Sequence, residues 1–436
     1  MSSENKVPEI QRAVKSLKAT AASAAYQKEW FQTIQQRVRG GEEFAYLNAD
    51  VPLEIFRAFD IPFVVNQWWA AICGAKRKTA AYCGLLKDAG FRDDLCTYCV
   101  MAFAESMDPN DKEQGPWGGL PTPTMAVTRL SCDCMGKIFE MFAKNHGAVY
   151  YPLESTNARI VPDNWWELAH DRWEELYDPD RLDLAVEDMK QLIRFVETKT
   201  GKMFDINKLI EVSELINEQE TWYLKTRDLI AKTRPAPVTV VDTINAVMQA
   251  QWQRGTQWAV DHAKGLFEEI QALAQEGHAA VPNEKYRLMW IGRGLWHDFA
   301  FYQNFEKKYG AAFIWSMYLA MGADAYIRRN VAKDPLRALA ARFIGMEDFL
   351  HMPPWNANWF VKEAKLNGID GVVYMVPDNC MLSVEGSYFI TEAFEKAGIP
   401  VLTFKADPVD ARKWSRETMT ALVEGFIEEK IIRRKD

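Results

Sequence analysis

The sequence predicts an α/β protein, with two doubly wound parallel-sheet lobes and a helical domain inserted between them. Three observations point there. Short apolar runs alternate with helical periodicity near both ends of the chain, the pattern of βα units feeding a parallel sheet. The middle carries helical periodicity and no strand of comparable strength. At 436 residues the chain also exceeds one ordinary core. The expected division is an N-terminal helix over 1–40, a first α/β lobe over 41–164, a helical insert over 165–284 and a second α/β lobe over 285–436.

In chain order, residues 7–40 are amphipathic and rich in Ala, Lys and Gln, and stop at Gly40 and Gly41. They predict a leading helix packed on the first lobe or on a partner. Residues 45–47 read as a strand, 52–59 as a short helix and 61–65 as a second strand. A helix over 76–90, a turn around Cys96 and a Gly/Pro-rich loop over 115–123 lead to a central strand, 124–130, and a helix from Met135. Residues 148–152 close the first lobe with another strand. Helices follow over 167–177, 181–200, 206–232 and 240–275, with Asp205 as a cap and Pro235 and Pro237 as breakers. The second lobe opens with a strand over 286–291, then Gly292-Arg293-Gly294 and a helix. Its further strands fall over 312–318, 369–376 and 399–404.

Composition narrows the function. A net charge of -8 offers no basic face for phosphate backbones, so no nucleic-acid partner is expected. No apolar run reaches about 18 residues and no signal peptide opens the chain, so the expectation is a soluble, cytoplasmic protein without a membrane partner. Seven cysteines, an odd number, fit reduced thiols better than disulfides. Sixteen tryptophans serve as core or interface, and some as walls of a dry pocket.

The chemistry-bearing stretches are cysteine turns. Cys132, Asp133 and Cys134 join the central strand to its helix, Cys380 follows the strand over 369–376, and Cys96 and Cys99 share a turn. Open parallel sheets bind ligands beyond the carboxyl ends of their strands, and helix-start N–H groups stabilise a thiolate. Two groupings stay open. The three turns could converge on one metal centre between the lobes, or the Cys96/Cys99 and Cys132/Cys134 pairs could close a four-thiolate zinc site. Cys73 and Cys83 read as buried, inert thiols. Gly292-Arg293-Gly294 lacks the third glycine of a dinucleotide loop and reads as a tight turn, and no GxxxxGK[ST] phosphate loop occurs. The six histidines show no metal spacing, although His297 and His351 lie beside expected loops.

Taken together, Leu95-Cys96-Thr97-Tyr98, Leu130-Ser131-Cys132-Asp133 with Lys137 and Glu140, Gly371-Val372-Val373 with Cys380, and the run from Gly398 to Asp407 resemble the benzoyl-CoA reductase / 2-hydroxyacyl-CoA dehydratase family. The resemblance runs from about residue 40 to the end of the chain. It implies a 4Fe–4S cluster held by Cys96, Cys132 and Cys380, with Cys99 and Cys134 as extra thiols beside them. Segments such as Gln67-Trp68-Trp69, Asn164-Trp165-Trp166 and the 352–359 stretch resemble the larger catalytic subunits of ATP-dependent benzoyl-CoA reductases. The function so implied is dearomatising reduction of benzoyl-CoA, an aromatic acyl-CoA, to a cyclic dienoyl-CoA. The alternative within the family is ketyl-radical dehydration of an (R)-2-hydroxyacyl-CoA. From another class comes a non-catalytic electron-relay subunit. Three matched thiolates rather than four favour catalysis. The implied partners are a homologous second subunit, a separate iron–sulfur activator that alone carries ATP and Mg, and ferredoxin as electron source. Glu54 has two readings: a first-turn charge complementing the helix dipole, or a buried proton donor of raised pKa near the cluster.

Overall fold

The computed structural model describes residues 12–92, 94–108, 110, 115–156, 162–351 and 353–435, and the backbone alone at 350, 351, 353–355, 381–385 and 435. Two four-stranded sheets organise them, each parallel throughout. The first has the order β2-β1-β3-β4, built from Ala45–Leu47 (β1), Phe63–Val65 (β2), Met125–Arg129 (β3) and Val149–Leu153 (β4). The second has the order β6-β5-β7-β8, from Tyr286–Ile291 (β5), Ala311–Ser316 (β6), Gly371–Pro377 (β7) and Val401–Ala406 (β8). The α/β class and both parallel sheets expected from the sequence are present.

Burial explains why these strands were legible. A parallel strand covered on both faces reads as a continuous apolar run, and β3, β6 and β7 are buried along their whole lengths. Edge strands relax that demand. Val149 in β4 is exposed, and Pro152 sits in the same strand, where a missing N–H costs no ladder bond on the open side. In β8 burial alternates at its far end, Phe404 in, Lys405 out, Ala406 in.

Between the sheets in sequence run the long helices Pro179–Thr200, Ile206–Lys232, Val240–Trp252 and Gln257–Gln275. Asp205 caps the second of them by accepting from the Asn207 N–H, as expected. One core cluster joins buried side chains of both sheets, such as Met125 and Val373, with Leu192 and Leu209 of these helices. Residues 240–275, expected as one helix, break at 253–256, where Gly255 has φ +80° and a Cβ would lie 2.5 Å from Val212 Cγ1. No side chain fits that turn, so the glycine outweighs the helical periodicity on either side. The helix expected after Gly294 is replaced by a short turn, Phe299–Gln303, and the four-residue helix Glu306–Tyr309. Its aromatics Phe301, Tyr302 and Phe305 are all buried, so no one-sided helical stripe forms. Asn66–Ala75 is a helix that the sequence reading omitted, being apolar almost all round.

Of the expected leading helix, Lys18–Arg39 is described; residues 1–11 lie outside the described part. Its start is held by carboxylates from the long helices. Asp242 accepts from the Ser16 and Leu17 N–H groups at 3.0 and 3.1 Å, and Glu269 from Lys18 and Ala19 at 2.8 and 3.0 Å. Further along, Phe31 stacks on Trp69 of the first lobe. Tryptophan indoles largely anchor the core in this way. Trp315 donates to Glu363 and Trp359 to Asp324, each at 2.8 Å. Among the described residues no helix is long and apolar enough to cross a membrane.

Candidate functional site

Strand order fixes where a ligand would lie. In each sheet the chain reverses direction between two central strands, β1/β3 in the first and β5/β7 in the second. Crevices open at the carboxyl ends of such strands. The residues just past those ends are chemically selective. Asn48 and Asp50 come after β1, Ser131 and Cys132 after β3, Gly292 and Arg293 after β5, and Asn379 and Cys380 after β7. Asp50 ties its own edge together by accepting from Ser131 Oγ at 2.7 Å and Asn48 Nδ2 at 3.3 Å.

Three cysteines occupy the same local position. Cys96, Cys132 and Cys380 are the N-cap residues of the helices Thr97–Glu105, Asp133–His146 and Met381–Lys396. Cysteine is a poor cap, so its presence at three helix starts asks for a chemical reason. A thiolate there meets unpaired backbone N–H groups and the positive end of the helix dipole. Cys132 makes the contact directly, its Sγ accepting from the Met135 N–H at 3.3 Å. Cys99 and Cys134 sit one turn or less inside the first two helices.

Those first-lobe thiols are neighbours. Hydrogen bonding to the Cys99 thiol, and then the Arg293 cation, hold Cys96 below its ordinary pKa against the opposing effect of burial. Cys99 is pushed well up by its hydrogen bonds to Cys132, Cys134 and Cys96, and further by burial. Of the two, Cys96 is therefore the readier to give up its proton. Cys380 belongs to the other lobe and lies against Arg293, whose Nη2 is 3.9 Å from its Sγ. Cys73 and Cys83 stand apart. Burial raises both, Cys83 to about 11, which suits inert thiols.

Hydrogen bonds across the crevice hold the lobes in register at these turns. Asn379 Nδ2 donates to the Leu95 carbonyl at 3.1 Å, next to Cys96. Thr97 Oγ1 donates to the Asp407 carboxylate, 2.7 and 2.6 Å from its oxygens, and Trp296 Nε1 donates to Tyr98 Oη at 2.8 Å. Asp407 is fixed in turn by the Val409 and Asp410 N–H groups, both at 2.8 Å.

Glu54 lies elsewhere in character. It falls in the first turn of the helix Leu53–Ala58, buried, where Oε1 accepts from Arg254 Nε at 3.0 Å and Arg342 Nη1 at 3.3 Å. With Tyr326, Leu339, Phe343 and Met346 these groups enclose a cavity of about water size. The raised pKa that the proton-donor reading of Glu54 required is corrected here. Burial does push the carboxyl up, but the two arginines outweigh it and hold the group below its ordinary value. Glu54 is therefore ionised and paired, a poor proton source in this state. His297 is buried and neutral, its pKa lowered by burial, with Nε2 against the Asp407 carbonyl at 3.0 Å. The His351 side chain lies outside the described residues.

Comparison with known proteins places this geometry in a family. Residues 48–429 match the model of the 2-hydroxyglutaryl-CoA dehydratase, D-component family. The chain belongs to that family. It is 24% identical over 409 residues to an (R)-phenyllactyl-CoA dehydratase alpha subunit of Clostridium sporogenes, covering 91% of each chain. To an (R)-2-hydroxyisocaproyl-CoA dehydratase alpha subunit of Clostridioides difficile it is 21% identical over 390 residues, 89% of this chain and 90% of the other. An (R)-2-hydroxyglutaryl-CoA dehydratase subunit alpha of Acidaminococcus fermentans is 23% identical over 301 residues, 68% of this chain and 58% of that one. The resemblance read from the sequence holds for its dehydratase half. All three relatives are named as dehydratase subunits, which favours the dehydratase alternative over the reductase reading and a lyase activity over an oxidoreductase one.

An iron–sulfur cluster, the group which the resemblance implies, can be tested against these donors. Cysteine thiols are the donors such a cluster takes, and Cys96, Cys132 and Cys380, each at a helix start, fit it in donor chemistry. Among the described residues no three or more His, Cys, Asp or Glu side chains group so as to hold a single metal ion. Sequence reasoning missed Arg293, because the glycines around it were weighed only as a dinucleotide loop. Their signal was positional: an arginine between glycines, directly after a central parallel strand. Arg254 and Arg342 gave no such signal, lying 200 and 288 positions from Glu54.

Proposed function

We propose that this chain is a subunit of a 2-hydroxyacyl-CoA dehydratase acting on an (R)-2-hydroxyacyl-CoA. The observation that carries the reading is the family match over 48–429, together with alpha subunits of two such enzymes aligned along about nine tenths of both chains. The reaction removes the hydroxyl from C2 and a proton from C3, leaving the thioester in place. That elimination opposes the polarity of the carbonyl, which is why a transient electron is needed and then returned. A 4Fe–4S cluster on Cys96, Cys132 and Cys380 would supply that electron at low potential.

The chain's own residues supply the rest. Helix starts hold the thiols. The bonds Thr97–Asp407 and Asn379–Leu95 tie the turn of Cys96 to the second lobe, which supports a site shared by both lobes. The chain shows no phosphate loop, in keeping with ATP and Mg residing on a separate activator fed by ferredoxin, and with a homologous second subunit completing the enzyme. The test is reconstitution with that subunit and activator under anaerobic conditions. A 2-enoyl-CoA should form from an (R)-2-hydroxyacyl-CoA with far fewer ATP consumed than turnovers. Ring reduction of benzoyl-CoA with sustained ATP hydrolysis, and no dehydration, would overturn the reading in favour of the reductase.

A further inference from the structure

Arg293 holds an unusual place for a cation. It comes directly after β5, at the point where the second sheet reverses direction, and it is half-buried. Gly292 before it has φ +119°, and a Cβ there would stand 2.6 Å from the Met375 carbonyl oxygen, so the chain passes hard against β7. The turn is held on both sides. Trp290 Nε1 donates to the Arg293 carbonyl at 3.0 Å, and the Gly294 N–H donates to Tyr318 Oη at 2.8 Å. Beneath the guanidinium lies the Tyr98 ring, 5.1 Å away.

A guanidinium has five N–H donors. Among the described residues this one spends a single contact, the 3.9 Å approach to Cys380 Sγ, which is long for a hydrogen bond. The charged or polar groups that it feels most are Cys380, Cys96, Tyr98 and Tyr318, with no carboxylate among them. Buried and half-buried charges are normally paired. This one is held rigid, faces the thiol crevice and keeps donors in hand.

We propose that Arg293 binds the thioester carbonyl oxygen of the acyl-CoA, and tightens its hold as that oxygen becomes anionic. The proposal rests on the dehydratase reading for its substrate class. One electron, drawn in the first place from the reduced iron–sulfur activator and passed to the carbonyl, places a negative charge on its oxygen. Hydroxide then leaves C2, a proton leaves C3, and the electron returns, so the sum is loss of one water. A rigid cation aimed at the oxygen is worth most while the charge is present. The CoA phosphates are the other anionic source, but the long pantetheine arm separates them from the reacting carbon, which belongs beside the thiols.

The experiment compares wild type, Arg293→Lys and Arg293→Gln in the reconstituted complex, using acyl-CoA labelled with carbon-13 at the thioester carbonyl. In wild type the infrared carbonyl stretch of bound substrate should fall below its solution value. Arg293→Gln should restore it and Arg293→Lys should leave it between, with iron content equal in all three. Turnover should fall by roughly 10²–10³ in Arg293→Gln, as for a lost oxyanion donor, with KM changed far less. An unchanged stretch in Arg293→Gln would overturn the proposal. So would iron lost in step with activity, which makes Arg293 a countercharge for the thiolates, or weakened binding of free CoA, which makes it a phosphate contact. If the stretch depends on Arg293 but no water is eliminated, the dehydratase reading fails and the role of Arg293 stands. Dehydration by an enzyme whose stretch ignores Arg293 would instead keep the dehydratase reading and remove that role.

Discussion

Two polar regions, one around Glu54 and one past the carboxyl ends of the central strands, differ in how completely the protein satisfies them. Around Glu54 the carboxylate receives N–H groups from Arg254 and Arg342, and apolar side chains close the cavity to about the size of one water. In the crevice between the lobes, thiols stand at helix starts half-exposed, and a guanidinium spends one long sulfur contact. The first region is charge consumed by structure. In the second, the Arg293 guanidinium uses only part of its donor capacity among the described residues. Burial alone would rank Glu54 first; counting satisfied partners ranks the crevice first.

The comparison breaks most sharply at the cysteines. Cys132→Ser, Cys96→Ser and Cys380→Ser should each lose or damage the proposed iron centre, measured as iron and acid-labile sulfide after anaerobic purification, while Cys73→Ser and Cys83→Ser keep it. The folded state should survive all five, since no disulfide forms among the cysteines. Full iron in Cys380→Ser, with loss in Cys99→Ser and Cys134→Ser, would confine the centre to the first lobe.

Glu54→Gln tests the other region. It removes the charge between two buried arginines, and breaking a buried pair costs roughly 3–5 kcal/mol. Urea unfolding should show that loss. Because the folded pKa of Glu54 is lowered, its contribution is present above the ordinary carboxylate range and is lost as pH falls through the folded value. The destabilisation by Glu54→Gln should therefore shrink in acid. Unaltered stability with a hundredfold drop in turnover would return Glu54 to the chemistry.

How much of this was legible depends on where each interaction lies in the chain. Strands buried on both faces announce themselves as apolar runs, and β7 did so from its own residues, Val372, Val373, Tyr374 and Met375. Cys132 was legible for a similar reason, since a strand, a turn and a helix start lie within a dozen residues. Long-range pairing stayed hidden. Nothing local to Glu54 tells that Arg254 and Arg342 arrive from elsewhere and reverse the sign of its pKa shift. Gly255 was visible, yet its need for positive φ depends on Val212 of a neighbouring helix.

Glu220 sharpens the lesson, because it faces the same two arginines without a direct ion pair. Its carboxylate is fully buried and packs on Gly322, where a Cβ would lie 2.1 Å from Oε2. Burial pushes it up to about 8, against the pull of Arg254 and Arg342. A pKa raised on folding means that stability is greatest below the unfolded value and falls as pH rises toward 8. Glu220→Gln removes that titration. Its stability relative to wild type should climb between pH 5 and 8, by up to about 3 kcal/mol at neutral pH at 1.36 kcal/mol per unit. A constant difference across this range would show that Glu220 is already paired and ionised.

The smallest effect is expected at the clamp beside Cys96. Thr97→Val keeps the shape of the side chain and deletes the hydroxyl that reaches Asp407 across the crevice. A hydrogen bond to a charged group contributes about 1.5–3 kcal/mol, but Asp407 retains the Val409 and Asp410 N–H groups, so the lower end is expected. Its position makes the variant informative. Thr97 is the first residue of the helix that Cys96 caps, while Asp407 lies just past β8 of the second lobe. If the crevice is assembled from both lobes, loosening this bond should speed iron loss under air several-fold more than the drop in unfolding midpoint would imply. Iron loss that merely tracks global stability would mean that the thiols are held by the first lobe alone.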